Sequence, residues 1–344
     1  MKPSILWVLT LLPLISLCQP NYKRAVVGFY NLENFYDTVN NPAINDDEFL
    51  PDGPRRYNTS VYRDKVEKLA TVVARLGKTF SIDGPAFLGV AEVENDTVLN
   101  DLVRHPFIRE RDYRFVHYDS KDQRGVDVAL LYNPGYFDMQ QSFKLNVQLP
   151  GGSKESAFTR DVLWVKGLLF GEEVHVFVNH WPSRLGGEAR SEPARIAAAN
   201  VNRQIIDSLL QSNADCKIIV MGDLNDDPVN NSVTKGLRAN GHANALRAGE
   251  LYNPWLEKYR KGIGTLAYQD AWSLFDQIIL SQGWLNQQQD GIFFYKAHVF
   301  NESFLTENIG KYKGYPMRTW DGLSYRGGYS DHFPTYVVIL KKAN

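Results

Sequence analysis

The sequence predicts a mixed α/β fold, and three observations carry that expectation. Apolar segments of strand length recur along the chain, two longer stretches between them repeat apolar residues at helical spacing, and polar residues stand where the strands end. Of the 344 residues, 44% are hydrophobic and 12% aromatic, enough for a sizeable core. No linker composition divides the chain, so residues 19–344 are expected to form a single domain, although two would be usual at this length.

Taken in order, residues 1–18 read as a secretory signal. Lys2 is its charged start, Ile5 to Leu17 its apolar run, and Ser16-Leu17-Cys18 a cleavage site before Gln19. The run is too short to span a bilayer. Lipid attachment at Cys18 is the weaker alternative, because Leu17 stands where such signals carry a small residue. The mature chain is therefore expected to be secreted or periplasmic, monomeric and without integral membrane contact. Cys216 is then its sole cysteine, so no internal disulfide supports the fold.

Ala25 to Tyr30 is the first strand candidate. Asp37 to Tyr57 is irregular, and its acidic run Asp46-Asp47-Glu48 reads as a solvated segment, with calcium binding as a minority alternative. Ser60 to Leu76 places Val66, Leu69, Val73 and Leu76 on one helical face. Ala86 to Val93, Val126 to Tyr132, Val162 to Leu169 and Val174 to Val178 are further strands. Ser191 to Leu210 is a second helix, capped by Ser191, with Ile205 and Leu209 on its apolar side. Ile218 to Met221, Ala267 to Leu280 and Thr335 to Leu340 complete the strands. Phe304 to Tyr329, rich in Gly, Tyr and Pro, reads as a long loop of the kind that tends to carry function.

Charge excludes one class of behaviour. Lys plus Arg number 38 against 39 acidic residues, so no global field draws the protein to nucleic acid or membrane. A polyanionic substrate must be held locally.

Chemistry is expected at the strand ends, where a rigid sheet can aim side chains into one cleft. After the apolar run 217–221, Gly222 is followed by Asp223 and Asn225 on the same side of an extended chain, suited to holding a water and a phosphoryl oxygen. The alternative is a plain turn, which Gly, Asp and Asn all favour. Glu92 ends the strand Ala86 to Val93, where a carboxylate needs a partner such as a metal ion. Asn31 ends the first strand; His180 leaves Val174 to Val178 for a loop; His332 stands in Ser330-Asp331-His332. Asp276 interrupts an apolar strand and needs a partner, for which a histidine is the natural candidate.

Read in order, Asn31, Glu92, His180, Asp223-x-Asn225, Asp276 and Ser330-Asp331-His332 resemble the endonuclease/exonuclease/phosphatase superfamily, over about Tyr22 to Leu340. The resemblance implies two mixed β-sheets packed face to face as a sandwich with helices outside, and a site at one end. It implies metal-dependent hydrolysis of phosphate esters by water attack at phosphorus, with Mg2+ as the ion and Mn2+ or Ca2+ as alternatives. Glu92 becomes the principal metal ligand, with Asn31 and Asp331 beside it. Asp223 orients or deprotonates the water and Asn225 fixes it, while Asp276 and His332 form a carboxylate–histidine pair on the phosphate. His180 matches a second histidine of the deoxyribonuclease and sphingomyelinase branches, and Asp127 is the candidate carboxylate behind it. Glu33 stands where apurinic endonucleases carry an aspartate, a departure from that branch.

The physics agrees with that implication, because phosphoryl transfer mainly asks for a placed nucleophile and neutralised charge. In the long loop, Lys311, Lys313, Arg318 and Arg326 alternate with Tyr312, Tyr315, Trp320 and Tyr325, which suits phosphate tracking with ring stacking. An ordinary solvated loop is the alternative. The expected substrate is DNA or RNA; a lipid or small phosphoester is the second reading, and a binding module without turnover the third.

Overall fold

Strand β1, Tyr22–Phe35, is buried without interruption from Ala25 to Glu33. Both of its faces are therefore covered: Val27 and Phe29 enter the core between two sheets, while Val26 and Tyr30 enter a layer of helix. The computed structural model describes residues 21–151, 158–287 and 291–343. The expected leader over 1–18, Cys18 included, lies outside the described residues.

Helix α1, Thr59–Arg75, links β1 to its parallel neighbour β2, Pro85–Val93. A parallel pair needs such a crossover. Asn58 caps the helix by accepting the Ser60 and Val61 N–H groups. Its Val66, Leu69 and Val73 pack with Leu88 and Val90 of β2. After β2 come α2, Asp96–Val103, and strands β3, Arg114–His117, β4, Asp127–Tyr132, and β5, Phe137–Leu145. The same device then recurs: β6, Val162–Leu169, β7, Glu172–His180, helix α3, Glu188–Ser212, and β8, Lys217–Asp223, with β7 and β8 parallel.

Short strands β9, Ala239–Asn240, and β10, Leu251–Tyr252, and the hairpin β11, Leu266–Tyr268, with β12, Ala271–Ser273, lead to β13, Asp276–Leu280. The last strands are β14, Ile292–Val299, the hairpin β15, Trp320–Asp321, with β16, Ser324–Tyr325, and β17, Thr335–Lys342. One sheet has the order β14-β17-β1-β2-β4-β3 and the other β5-β6-β7-β8-β13-β10-β9. Phe29, Phe87, Val178, Met221, Ile278 and Val337 fill the space between them, α1 covers the outer face of the first sheet, and α3 covers that of the second. Gly89 lets the sheets approach at this core, since a Cβ there would lie 2.5 Å from the Met221 sulfur.

The mixed α/β class and the two-sheet sandwich both hold. Ala267 to Leu280 is not one strand: Gln269 and Asp270 adopt positive φ and close the β11–β12 hairpin before β13 begins. The acidic run of 46–48 also divides. Asp47 and Glu48 are exposed, but Asp46 is buried and accepts the Asn41 N–H. The long loop is partly ordered by β15 and β16, whose Trp320 is buried against Phe49 and Tyr57 and is not available for stacking on a ligand. No helix among the described residues is long and apolar enough to cross a membrane.

Candidate active site

The strand directions bring the polar residues together. β1 and β2 run parallel, as do β7 and β8, so Asn31, Glu92, His180 and Asp223 all lie toward C-terminal strand ends. β13 runs against β8 and β17 against β1, so Asp276 and the approach to Thr335 begin at that same end. In register, Asp223 sits between His180 on β7 and Asp276 on β13.

Asn31 joins the sheets by donating from Nδ2 to Asp223 Oδ2 at 3.0 Å, and its own Oδ1 accepts the Glu33 N–H. The second carboxylate oxygen of Asp223 accepts the Asn225 N–H at 3.0 Å. Asn225, at φ +49°, thus serves Asp223 through its backbone, while its side chain donates to the Trp181 carbonyl. Across the same gap His332 Nδ1 lies 2.7 Å from Asp276 Oδ2, and His332 Nε2 lies 3.8 Å from Asp223 Oδ2. Ser330 Oγ donates to the Asn31 carbonyl and accepts the His332 N–H, fixing the approach of the histidine.

Two buried carboxylates around one imidazole need a positive charge. Burial opposes the imidazolium of His332, but Asp276 and Asp223 outweigh it and hold its pKa well above the usual histidine value. The Asp223 carboxyl is raised as well: burial lifts it to about 6, with His332 opposing the rise and Asp276 adding to it. A carboxylate poised there is a stronger base than a free aspartate.

His180 differs from His332 in charge. Burial, then Arg160, Arg124 and His332, depress its pKa well below the ordinary value, so it is neutral. Its Nε2 lies 3.7 Å from Asp223 and 3.9 Å from Glu92, and its Nδ1 is buried with no hydrogen-bond partner among the described residues. Asp127 is not the carboxylate behind it. Asp127 accepts the Ser120 N–H and lies 3.6 Å from His117 Nε2, because β4 pairs with β3 and sets it beside that histidine.

Glu92 sits at φ +62°, accepts the Asn34 N–H on Oε2 and presents Oε1 to Arg124 at 3.6 Å and to His180. Asp331 pairs with Arg318 at 3.2 Å and lies 4.0 Å from His332. Negative charge is in excess beside them: Glu33 is pushed up to about 7, first by burial and then by Asp331. A divalent cation fits this donor set, since Glu92 retains an oxygen with only long contacts and hard oxygen donors suit such ions. Glu92, Asn31 and Asp331 are the residues that would hold it.

Two residues that carry the site, Arg160 and Lys65, have no counterpart among the residues singled out from the sequence, and Glu33, named there, takes a structural part. Arg160 is buried, bonds the carbonyls of His180 and Trp181 through Nε and Nη2, and pairs with Asp122 at 3.0 Å. Its place just before β6 offered only a lone charged residue in an unremarkable segment. Glu33 accepts the Thr319 and Trp320 N–H groups, and Lys65 donates to Thr319 Oγ1 and the Tyr329 carbonyl. Together they fasten the long loop beneath the site. A lysine on the buried face of α1 was the available signal.

The model of the Endonuclease/Exonuclease/phosphatase family matches residues 26–341. This chain belongs to that family. It is therefore a metal-dependent hydrolase of phosphate ester bonds. Solved structures of similar fold include an endonuclease/exonuclease/phosphatase family protein from Bacteroides thetaiotaomicron, 16% identical, covering 94% of this chain and 97% of that one at a TM-score of 0.56. The mannosyl-6-phosphatase Bt3783 of the same organism is 16% identical over 92% of this chain and 99% of its own, at 0.55. D. rerio TDP2 complexed with a single strand DNA product is 13% identical over 92% and 98%, also at 0.55. None of the curated proteins matches the chain by sequence.

Proposed function

We propose that this family member hydrolyses phosphodiester bonds of DNA or RNA, and that it takes one nucleoside of a single strand or chain end beside the site. The observation that carries the reading is a cavity of about 400 Å³ that opens at Asp331 and Arg318 and is lined by Tyr268, Tyr312, Tyr315 and Lys311. Rings and a cation next to a phosphate site suit base stacking and phosphate contact. The near-neutral chain gives no long basic track, which favours one held nucleoside over an extended duplex.

Asp223 accepts a proton from the attacking water, whose oxygen bonds phosphorus as the ester P–O bond breaks, and the leaving sugar oxygen takes a proton from solvent. His332, charged and held by Asp276, hydrogen-bonds a phosphoryl oxygen and offsets its growing negative charge. Neutral His180 donates one further hydrogen bond from Nε2. A divalent ion, proposed as Mg2+ at Glu92, would supply additional charge neutralisation when bound.

A second reading rests on Asp270 and Glu307, carboxylates at the same cavity that suit the hydroxyls of a sugar phosphate. Turnover of single-stranded DNA, RNA, sugar phosphates and phospholipids with Mg2+, Mn2+ or Ca2+ separates the readings. The nuclease reading expects Tyr312→Ala to raise KM for oligonucleotides; turnover confined to sugar phosphates overturns it. Export through a cleaved leader over residues 1–18 belongs to the same proposal, and sequencing the N-terminus of the protein recovered outside the cytoplasm tests it.

A further inference from the structure

Away from Asp223 and His332, a second set of ligating atoms converges where β3 ends and β4 begins. His117, Asp119 and Asp127 each offer one ligand atom, and these atoms lie within 4.8 Å of one another. The His117 side chain is 3% exposed, and that of Asp127 5%.

The tautomer of His117 is set from its far side. Nδ1 lies 2.9 Å from Asp96 Oδ1, at the start of α2, so Nδ1 carries the proton and donates it to Asp96. In the neutral ring that leaves Nε2 as a lone pair facing Asp127, and Nε2 is buried with no hydrogen-bond partner among the described residues. A lone pair and a carboxylate cannot bond each other without a cation between them. Their separation of 3.6 Å exceeds a hydrogen bond, and it approaches the spacing of about 3.3 Å between two ligands held tetrahedrally at about 2.0–2.1 Å from one ion. The arrangement of Asp96 behind the imidazole is the outer-carboxylate support that metal-bound histidines usually have.

We propose that His117 Nε2, Asp119 and Asp127 bind a structural zinc ion, with water completing the coordination. One imidazole with two carboxylates suits a first-row transition ion better than Mg2+ or Ca2+, which prefer oxygen alone. The ion has a mechanical consequence. Asp119 begins the segment 119–126, in which Asp122 pairs with Arg160 and Arg124 donates to Asn34 and lies beside Glu92. Zinc at β3 and β4 therefore clamps the base of a loop whose two far contacts brace His180 and Glu92.

The rival occupant of the gap is a proton. Burial disfavours an imidazolium at His117, but Asp127 and Asp96 more than offset it and raise the pKa. The test compares zinc content per chain after dialysis for the wild type, Asp119→Asn and His117→Gln. Asp119 is exposed, so its isosteric variant tests the ion without threatening the fold. Wild type is expected to retain one equivalent more than either variant, whatever the catalytic site holds, and a cobalt-loaded wild type to lose one ligand-field signal in both. Equal zinc content in wild type and Asp119→Asn overturns the proposal. So does a His117 ring that titrates by NMR identically with and without zinc, which assigns the gap to the proton.

Discussion

His332 Nδ1 and Asp276 Oδ2 meet at 2.7 Å although they are 56 positions apart, Asp276 opening β13 of one sheet and His332 standing just before β17 of the other. Replacing Asp276 by Asn keeps the shape and removes the charge. Turnover is expected to fall by about two to three orders of magnitude, within the range for a lost acid–base or charge-stabilising group. Because Asp276 is the largest cause holding the imidazolium, its loss lowers the His332 pKa, and the alkaline fall in activity moves to lower pH. The double variant with His332→Ala should be little worse than the worse single one, as for partners acting as a unit. Rate profiles against pH for the three variants check both statements.

The same pair contributes to stability with a defined sign. His332 has a raised pKa in the fold, so its contribution is complete below the unfolded value near 6.5 and fades as pH rises through the folded value. His180 has the opposite shift, so the fold loses stability as pH falls below about 6.5 toward the depressed value. Denaturant midpoints of His180→Asn should therefore show a shallower decline in acid than wild type.

Asp223, at about 6, sets the acid side of the reaction. Below that value it gains a proton and cannot accept one from water, so kcat/KM is expected to drop about tenfold per pH unit. His332 stays charged there and does not contribute to the drop. Asp223→Asn should remove most activity at every pH without changing the unfolding midpoint by more than the buried bond from Asn31 accounts for.

Glu92→Gln keeps the acceptor of the Asn34 N–H but loses the charge that faces the cation. The metal concentration for half-maximal activity should rise by more than the roughly 10–100-fold that losing an outer partner costs. Titration of the chelated enzyme with Mg2+ and Mn2+ reads this directly, and unchanged metal dependence places the ion elsewhere.

Lys65→Met removes a cation that holds the Glu33 pKa down, so Glu33 should bind a proton at neutral pH and the loss should stay below the roughly 3–5 kcal/mol of an uncompensated buried charge. Adding Glu33→Gln should recover part of that loss in urea unfolding, whereas additive losses would separate the two residues.

Legibility followed burial. The strands visible in the sequence, β1, β2, β4, β6, β7, β8 and β17, lie inside the sheets, where both faces are covered and apolar residues run on unbroken. Among the longer strands, those that escaped, β3, β5 and β14, are sheet edges, and β5 is largely exposed and shows no continuous apolar run; β9, β10, β15 and β16 are two residues each, too short to leave a pattern. The site residues at strand ends were legible because a carboxylate interrupting an apolar strand demands a partner. The identity of the partner was legible for Asp276 but not for Asp127, since choosing between His117 and His180 requires knowing which strand pairs with β4. Arg160, Glu33 and Lys65 work through backbone groups of distant loops, and nothing in their local sequence names those groups.

Strand β17 lies between β14 and β1 and follows every other described element in the chain. A growing polypeptide therefore completes the second sheet while the first still exposes the open edge of β1, a liability for pairing with other chains. Until β17 docks, His332 is not beside Asp276. The hydrolytic site is therefore assembled last, when the closing strand arrives.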